Sequence, residues 1–276
     1  MISDESQLQE KMTLFWHGHF ACKIKNPVYG IQLNNIMRTH ALDNFGTLLT
    51  EVSKSAAMID FLHTKQNKKM HPNEDFAREL CELFTLGRDT VYTEKDVAEI
   101  ARAFTGWTHL PDGTYFFNKM QHDFGEKTIF GKTGQFDGED VIKLILSKKE
   151  TAEYIIGKIW NYFVNPEPDQ IKIKDLADRF YNSGYDIKDI MEHIFSSEWF
   201  YDEKNKGSKI KSPIEFIVGL ARSFQMITVE EKSWAFLQRV LEQVLFDPPN
   251  VAGWPGNQNW IDSNRLTLRL RLPSII

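Results

Sequence analysis

The chain has 276 residues, of which 42% are hydrophobic and 13% aromatic, so it can bury a core in one large domain or two small ones. Its formal net charge is −5, and acidic and basic residues are mixed along its length, so it lacks the basic face that nucleic-acid binding requires. It also lacks an apolar run of about 20 residues, so no membrane span is predicted.

Helical periodicity dominates the N-terminal part of the sequence. Apolar side chains recur at helical spacing over residues 8–20, which predicts a first helix that carries His17 and His19 near its end. The same pattern predicts further helices over residues 33–49 and 48–62.

Residues 71–87 give the clearest helical signal. The helix is predicted to begin at Pro72, or after Asn73 as an alternative cap, and to stop at Gly87. Its apolar stripe consists of Phe76, Leu80, Leu83 and Phe84. Its acidic surface, crossed by one arginine, consists of Glu74, Asp75, Arg78, Glu79 and Glu82.

This acidic surface has two interpretations. Glu74 and Glu82 each lie four residues from Arg78, which fits an exposed ladder of ion pairs. Helices also bring glutamates to interior sites, where a cation must balance them. We expect the second arrangement, with Glu79 and Glu82 as carboxylates of a shared site and Arg78 as the balancing cation.

The next helix is predicted to follow Thr93, which forms a capping box with Asp96. Residues 107–136 then break the helical pattern, because they are rich in glycine and contain short β-prone pieces. They predict a small β-hairpin or a long ordered loop that carries His122 and Asp123. Loops of this length inside a compact domain are usually functional.

Start signals mark helices in the second half of the chain. Asp137, Asp186, Ser212 and Thr228 each precede an apolar run with helical spacing, and each is a predicted cap. Residues 266–272 alternate leucine with polar residues, which is a strand-like period. We still predict a helix there because the neighbouring elements are helical.

Together these elements predict a mostly α-helical globular domain of about ten helices, with a small β insertion near 107–136. One domain is expected over 1–276, with a possible subdomain boundary near 202–211. The expected core includes Phe76, Leu80, Leu83, Phe84, Ile100, Phe104, Ile159 and Phe163.

Several motifs, in order along the chain, resemble those of a bacterial family, domain of unknown function 1800. The resemblance implies an exported protein, in the periplasm or at the cell surface, with a partner from a second uncharacterised exported family. It also implies that longer relatives have an N-terminal part that this chain lacks. The motifs are FWHGHF (15–20), NEDFARELCELFTLG (73–87), YTEKDVAEIARAFTGW (92–107), HDFGEKTIFG (122–131), KIWNYFV (158–164), KSPIEFIV (211–218), DPPNVAGWPG (247–256) and WIDSN (260–264).

Histidines and carboxylates within these motifs suggest a metal or acid–base site. A divalent metal would be held by His17, His19, Glu82 and His122, since imidazole and carboxylate are common metal ligands. Without a metal, His17, His19 and His122 could act as catalytic bases, with Asp123 as a carboxylate partner, and the adjacent His122 and Asp123 could act as acid and base. On a continuous helix, however, His17 and His19 point about 200° apart. The alternative is therefore one buried, hydrogen-bonded histidine and one surface histidine.

Trp254 and Trp260 lie in a segment rich in proline, glycine and asparagine. Exposed, they could stack on a sugar ring; buried, they would form a packed aromatic lid. Cys22 and Cys81 are too few for a disulfide framework or a structural zinc site. We expect each to be a small buried residue, with a single bridge as the alternative in an exported protein.

Two function hypotheses follow. The first is an enzyme with a metal or acid–base site built from the FWHGHF, NEDFARELCELF and HDFG motifs. The second is a non-catalytic exported binding or scaffold protein, in which the same polar residues clamp helices together. A pocket that holds two of these histidines and a carboxylate favours the enzyme. Full burial with every polar atom paired favours the scaffold.

Overall fold

The computed structural model describes residues 1–2, 6–224 and 231–275. The described residues form thirteen α-helices and two short antiparallel strand pairs, which confirms a mostly α-helical fold with a small β insertion. The helices are α1 (Gln7–His19), α2 (Pro27–Thr39), α3 (Phe45–Lys54), α4 (Ala56–Phe61), α5 (Asp75–Glu79), α6 (Glu94–Ala103), α7 (Gly138–Leu146), α8 (Lys149–Phe163), α9 (Gln170–Asn182), α10 (Ile187–Ser196), α11 (Pro213–Ser223), α12 (Glu231–Val240) and α13 (Ser263–Ile275).

The β insertion is two hairpins. Strand β1 (Trp107–His109) pairs with β2 (Tyr115–Phe117), and β3 (Lys127–Ile129) pairs with β4 (Lys132–Gly134). Carboxylates of α6 hold the second hairpin. Glu99 Oε2 accepts a hydrogen bond from Thr128 N at 3.2 Å, and Asp96 Oδ1 accepts one from Phe130 N at 2.7 Å.

The predicted helix over 71–87 is wrong in its start and in its winding. It begins at Asp75, and the Asn73 side chain accepts a hydrogen bond from Asp75 N at 3.0 Å. After α5 the chain continues as a π-helix, Leu80–Thr85, in which backbone bonds reach five residues back instead of four. It stops before Gly87, which has the predicted left-handed conformation (φ 87°).

One large hydrophobic cluster extends from α1 to α10. The predicted core residues are buried there, except Leu83 and Phe163, which are partly buried against it. Cys22 and Cys81 are both buried and unbridged, so the predicted burial is confirmed and the alternative bridge is absent. Burial raises the pKa of the Cys22 thiol to about 12.

The C-terminal helices pack on α1 through a second, smaller cluster, which contains Leu14, Ile214 and Leu272. The predicted helix over 266–272 is confirmed as part of α13. The predicted cap at Thr228 lies outside the described residues, and the boundary near 202–211 stays a prediction. Within the described ranges no helix is both long enough and apolar enough to cross a bilayer.

Candidate functional site

A cavity of about 490 Å³ lies among α1, α8, the start of α11 and the segment 252–260. We call it the Lys158 cavity. Helix α8 supplies one continuous wall, because Tyr154, Lys158, Asn161 and Tyr162 recur at helical spacing on a single face. Its lining includes His19, Tyr154, Lys158, Tyr162, Trp254 and Trp260.

Lys158 is the most unusual group in this cavity. Its ammonium lies 4.8 Å from the centre of the Tyr154 ring and makes no hydrogen bond or ion pair with any described residue. Burial lowers its pKa to about 8, because the charged amine loses hydration that no carboxylate replaces. At neutral pH a measurable fraction of Lys158 is therefore a free amine.

His19 contributes a second unpaired group. Its Nε2 donates to the carbonyl oxygen of Phe84 at 3.1 Å, so in the neutral ring Nδ1 is an acceptor. That Nδ1 is buried and has no hydrogen-bond partner. Burial, followed by the charge of Lys158, lowers the pKa of His19 well below its usual value. His19 is therefore a neutral base beside the lysine.

The π-helix meets this cavity through its last carbonyl groups. The final carbonyls of a helix have no partner within it. Here the carbonyl of Phe84 accepts from His19, and those of Glu82 and Leu83 accept from the Tyr154 hydroxyl at 3.2 and 3.0 Å. The backbone of the acidic motif thus holds two side chains that line the cavity, His19 and Tyr154.

Lys209 and Glu215 are charged residues that also line the cavity. Glu215 closes the capping box of α11 and lies 3.2 Å from the ammonium of Lys11. Burial raises its pKa, but Lys209 and Lys11 outweigh burial, so the pKa is lower than usual. Lys209 donates to the Tyr162 carbonyl and lies 3.9 Å from that ring, and burial lowers its pKa to about 8.

The Tyr162 hydroxyl is the third unpaired group. It is buried and makes no hydrogen bond within ordinary distance and angle limits to any described residue. Burial, then the charge of the Glu215 carboxylate and a hydrogen-bond interaction with it, raises the pKa of Tyr162 well above its usual value, so the hydroxyl keeps its proton and remains a donor.

His17 lies on another side of α1 and is also buried. Its Nε2 accepts from Phe246 N at 3.0 Å, its ring stacks on Trp254 at 5.2 Å, and its Nδ1 has no partner. Burial lowers its pKa to about 4. The expectation that one of the two histidines lies on the surface is therefore wrong, because the C-terminal segment covers His17. It lines a separate cavity of about 360 Å³.

Trp254 and Trp260 resemble the packed aromatic lid more than two exposed rings. Trp260 is buried, and Trp254 is partly buried against the His17 ring. Both still line the Lys158 cavity, so their rings form part of its wall.

The acidic surface is a ladder at the protein surface. Arg78 contacts Glu94 Oε2 at 2.7 Å and Glu74 Oε2 at 3.0 Å, and these glutamate side chains are 76% and 44% exposed. Glu82 is more buried and pairs with Arg88 at 3.0 Å. Burial, then the Glu82 charge, raises the pKa of Glu79. The arrangement fits the exposed ladder better than the interior site that we expected.

His122 and Asp123 lie in the β insertion with partners of their own. The Nδ1 of His122 donates to the Thr105 carbonyl at 2.8 Å, and Asp123 Oδ2 accepts from Arg102 at 2.7 Å. Burial lowers the pKa of His122. Burial raises the pKa of Asp123, but the bond from Arg102 outweighs it, and the net shift is downward.

The structure does not gather the predicted metal ligands into one site. Among the described residues no three His, Cys, Asp or Glu side chains are arranged to hold a metal ion, and His17, His19, Glu82 and His122 each have the separate surroundings given above. Sequence reasoning missed Lys158 and Tyr162. The signal was present, since both interrupt an otherwise apolar helical face in KIWNYFV.

Comparison with known proteins gives one match. A family model described as protein of unknown function (DUF1800) matches residues 1–276. The chain has no match among the curated proteins, and no solved structure matches it.

Proposed function

The chain belongs to the DUF1800 family of proteins of unknown function, and we propose that it is an enzyme whose acid–base site is the Lys158 cavity. The observation that carries the proposal is a set of three unpaired polar groups on the wall of one cavity. They are the Lys158 ammonium, the Nδ1 of His19 and the Tyr162 hydroxyl.

Unpaired buried polar groups cost stability, and nearly all such groups in folded proteins have partners. Two such atoms, His19 Nδ1 and the Tyr162 hydroxyl, belong to side chains that line one cavity together with the partly buried Lys158. This arrangement supports a site whose partners come with a ligand. The scaffold alternative requires polar clamps that are fully paired, and His17 and His19 are not. The enzyme hypothesis required a pocket with two of the predicted histidines. That requirement is not met either, because His17 and His19 line different cavities.

The three groups have complementary roles in proton transfer. Lys158, with a pKa of about 8, can accept or release a proton near neutral pH, which is the condition for efficient acid–base catalysis. Tyr162 keeps its proton and can donate a hydrogen bond to an oxygen of the substrate. The Nδ1 of His19 can accept a hydrogen bond from a substrate hydroxyl. None of these roles depends on a metal. Export and a protein partner stay predictions.

The first test measures the titration of Lys158 directly. The folded protein is acetylated briefly over a pH series, and each lysine is quantified by mass spectrometry. Only the neutral amine reacts, so the rate at which Lys158 is acetylated should rise through pH 8 and reach half of its maximum there. Lys188, which is exposed on α10, is the internal reference. If Lys158 follows the same pH curve as Lys188, the acid–base proposal fails.

The second test asks for turnover. The protein is incubated with a cell extract, and depleted metabolites are identified by mass spectrometry for wild type, Lys158→Met and the surface control Lys188→Met. Wild type and the control should deplete the same compound, while Lys158→Met should lose at least about 100-fold in rate, the usual contribution of acid–base catalysis. Equal depletion by Lys158→Met would contradict the proposal.

A further inference from the structure

The unpaired groups of the Lys158 cavity describe the ligand that would complete them. Lys158 and Tyr162 offer hydrogen-bond donors, and one of them is a cation. His19 offers an acceptor at Nδ1. The complementary ligand therefore has an anionic oxygen and, beside it, at least one hydroxyl group.

The rest of the wall fits the body of a sugar. Trp254 and Trp260 lie on one side of the cavity, and Phe15 and Tyr154 also line it. Aromatic rings of this kind pack against apolar C–H faces while hydroxyls bind at the edge. The volume of about 490 Å³ is within the usual range for small-molecule sites and exceeds the needs of one sugar ring.

A second, larger cleft opens beside the cavity. It has a volume of about 1170 Å³ and shares Asn161, Ile210, Gly256 and Asn257 with the Lys158 cavity, so the two are adjacent. Seven amide side chains line this amide cleft: Asn161, Asn165, Gln170, Asn205, Asn257, Gln258 and Asn259.

Some of these amides serve the fold, and others are available. Asn165 and Asn205 bond to each other and to nearby backbone, so they stabilise the cleft. The side-chain amides of Gln170 and Gln258 make no hydrogen bond with any described residue, and both residues are exposed. Amides both donate and accept, which suits neutral hydroxyl groups. The charge here is small, because Lys204 lies 3.8 Å from Asp169.

We propose that the Lys158 cavity binds a uronic acid, the acidic unit of an oligosaccharide, and that neutral sugar units extend along the amide cleft. The carboxylate pairs with Lys158, ring hydroxyls bond to Tyr162 and His19, and the ring packs beside Trp254. This inference rests on the Lys158 cavity being the active site, and it adds the class of substrate.

The test for the cavity uses three probes, each measured by titration calorimetry. Glucuronate has both the carboxylate and the hydroxyls, glucose lacks the carboxylate, and cyclohexanecarboxylate lacks the hydroxyls. Glucuronate should bind at least about tenfold more tightly than either, since charged hydrogen bonds are among the stronger ones. Equal binding of glucuronate and glucose would overturn the inference.

Variants assign the preference to the residues. Lys158→Met should abolish the preference for glucuronate over glucose, whereas the surface control Lys188→Met should keep it. Tyr162→Phe removes only the hydroxyl and should weaken the binding of glucuronate by about threefold to tenfold. If Lys158→Met, folded by circular dichroism, keeps the preference, the carboxylate does not lie at Lys158 and the inference is wrong.

The amide cleft is tested with a longer probe. A xylotriose that carries one glucuronate should bind at least about tenfold more tightly than glucuronate alone. Gln258→Ala should remove part of this gain without changing the affinity for glucuronate itself. No gain with length would overturn the extension into the cleft.

The outcomes also separate this inference from the acid–base proposal. If Lys158 titrates near pH 8 and turnover depends on it, but glucuronate binds no better than glucose, only the substrate class is wrong. If Lys158 titrates like Lys188 while glucuronate is preferred, the sugar site stands and the acid–base role fails.

Discussion

The Lys158 cavity and the β insertion contain the same kinds of side chain in opposite states. At the insertion, Asp123 pairs with Arg102 of α6, which also pairs with Glu99 of the same helix, each at 2.7 Å, and His122 bonds to a backbone carbonyl. In the cavity, Lys158 and one nitrogen of His19 have no protein partner. The difference teaches that the type of residue in a motif does not identify a binding site. The lack of a partner does, because a partly buried polar group without a partner lowers stability unless a ligand completes it.

The largest expected effect concerns the two unpaired histidines. Their pKa values are about 6.5 in the unfolded chain and lower in the fold, where that of His17 is about 4. Below pH 6.5 the unfolded state therefore binds more protons than the folded state, and the protein loses stability as the pH decreases. His17 should cost about 2 kcal/mol by pH 5, and His19 should add a loss of the same sign. Urea denaturation at pH 7 and pH 5 measures this loss.

His17→Gln is the matched variant, because its amide oxygen can still accept from Phe246 N. It should lose about 2 kcal/mol less than wild type between pH 7 and pH 5. The difference between the two proteins removes the contribution of carboxylates that also titrate in this range. The same loss in both proteins would show that His17 is not held neutral.

The next effect tests the paired region. Arg102→Met leaves Glu99 and Asp123, each only 19% exposed, without their cation. We expect the free energy of unfolding to fall by about 2–3 kcal/mol, somewhat less than for fully buried pairs. Arg179→Met is the control, since its bond to Asp189 is more exposed and should contribute below about 1 kcal/mol. A loss in Arg102→Met no larger than in the control would remove the contrast between the regions.

Lys158→Met should change the stability in the opposite direction from Arg102→Met. It removes a partly buried charge that has no partner, so stability at pH 7 should rise by about 1–2 kcal/mol. The folded pKa of about 8 is below that of a free lysine. Wild type therefore gains stability as pH rises from 8 towards 10, and the advantage of the variant should shrink. Denaturation at pH 7 and pH 9.5 checks both statements; a variant less stable than wild type at pH 7 would contradict them.

The smallest effect is expected at the acidic surface. Arg78→Ala should lower stability by less than about 1 kcal/mol, because its close partners Glu74 and Glu94 remain solvated. The more buried Glu82, 3.6 Å from Arg78, keeps its ion pair with Arg88. Chemical denaturation at low and high salt measures it, and any loss should shrink with salt. A loss of about 3 kcal/mol or more would instead support an interior carboxylate site.

Much of the fold could be predicted because it depends on neighbours in the chain. The capping boxes at Thr93 and Ser212 form as their spacing requires, and Gly87 ends its helix in the left-handed region. The apolar stripes of α6 and α8 are buried as predicted. Side chains three or four residues apart always meet on a helix, so these features follow from local geometry.

The candidate site could be predicted only in part. His19, Trp254 and Trp260 were predicted site residues and do line the Lys158 cavity. Lys158 and Tyr162 were not predicted, because a lysine on a helix is normally solvated and nothing local shows that it lacks a partner. The acidic surface attracted attention by its composition, which does not reveal exposure.

The sequence by itself determined the helical architecture, the helix starts at Thr93, Asp137, Asp186 and Ser212, and the burial of most of the expected core, since these depend on interactions within a few residues. Only the tertiary structure decided which polar groups lack a partner. The last carbonyls of the π-helix find their partners in Tyr154 and His19, and His17 is buried because Phe246, more than two hundred residues later, covers it. Pairing and burial depend on contacts between distant segments, which local spacing cannot specify.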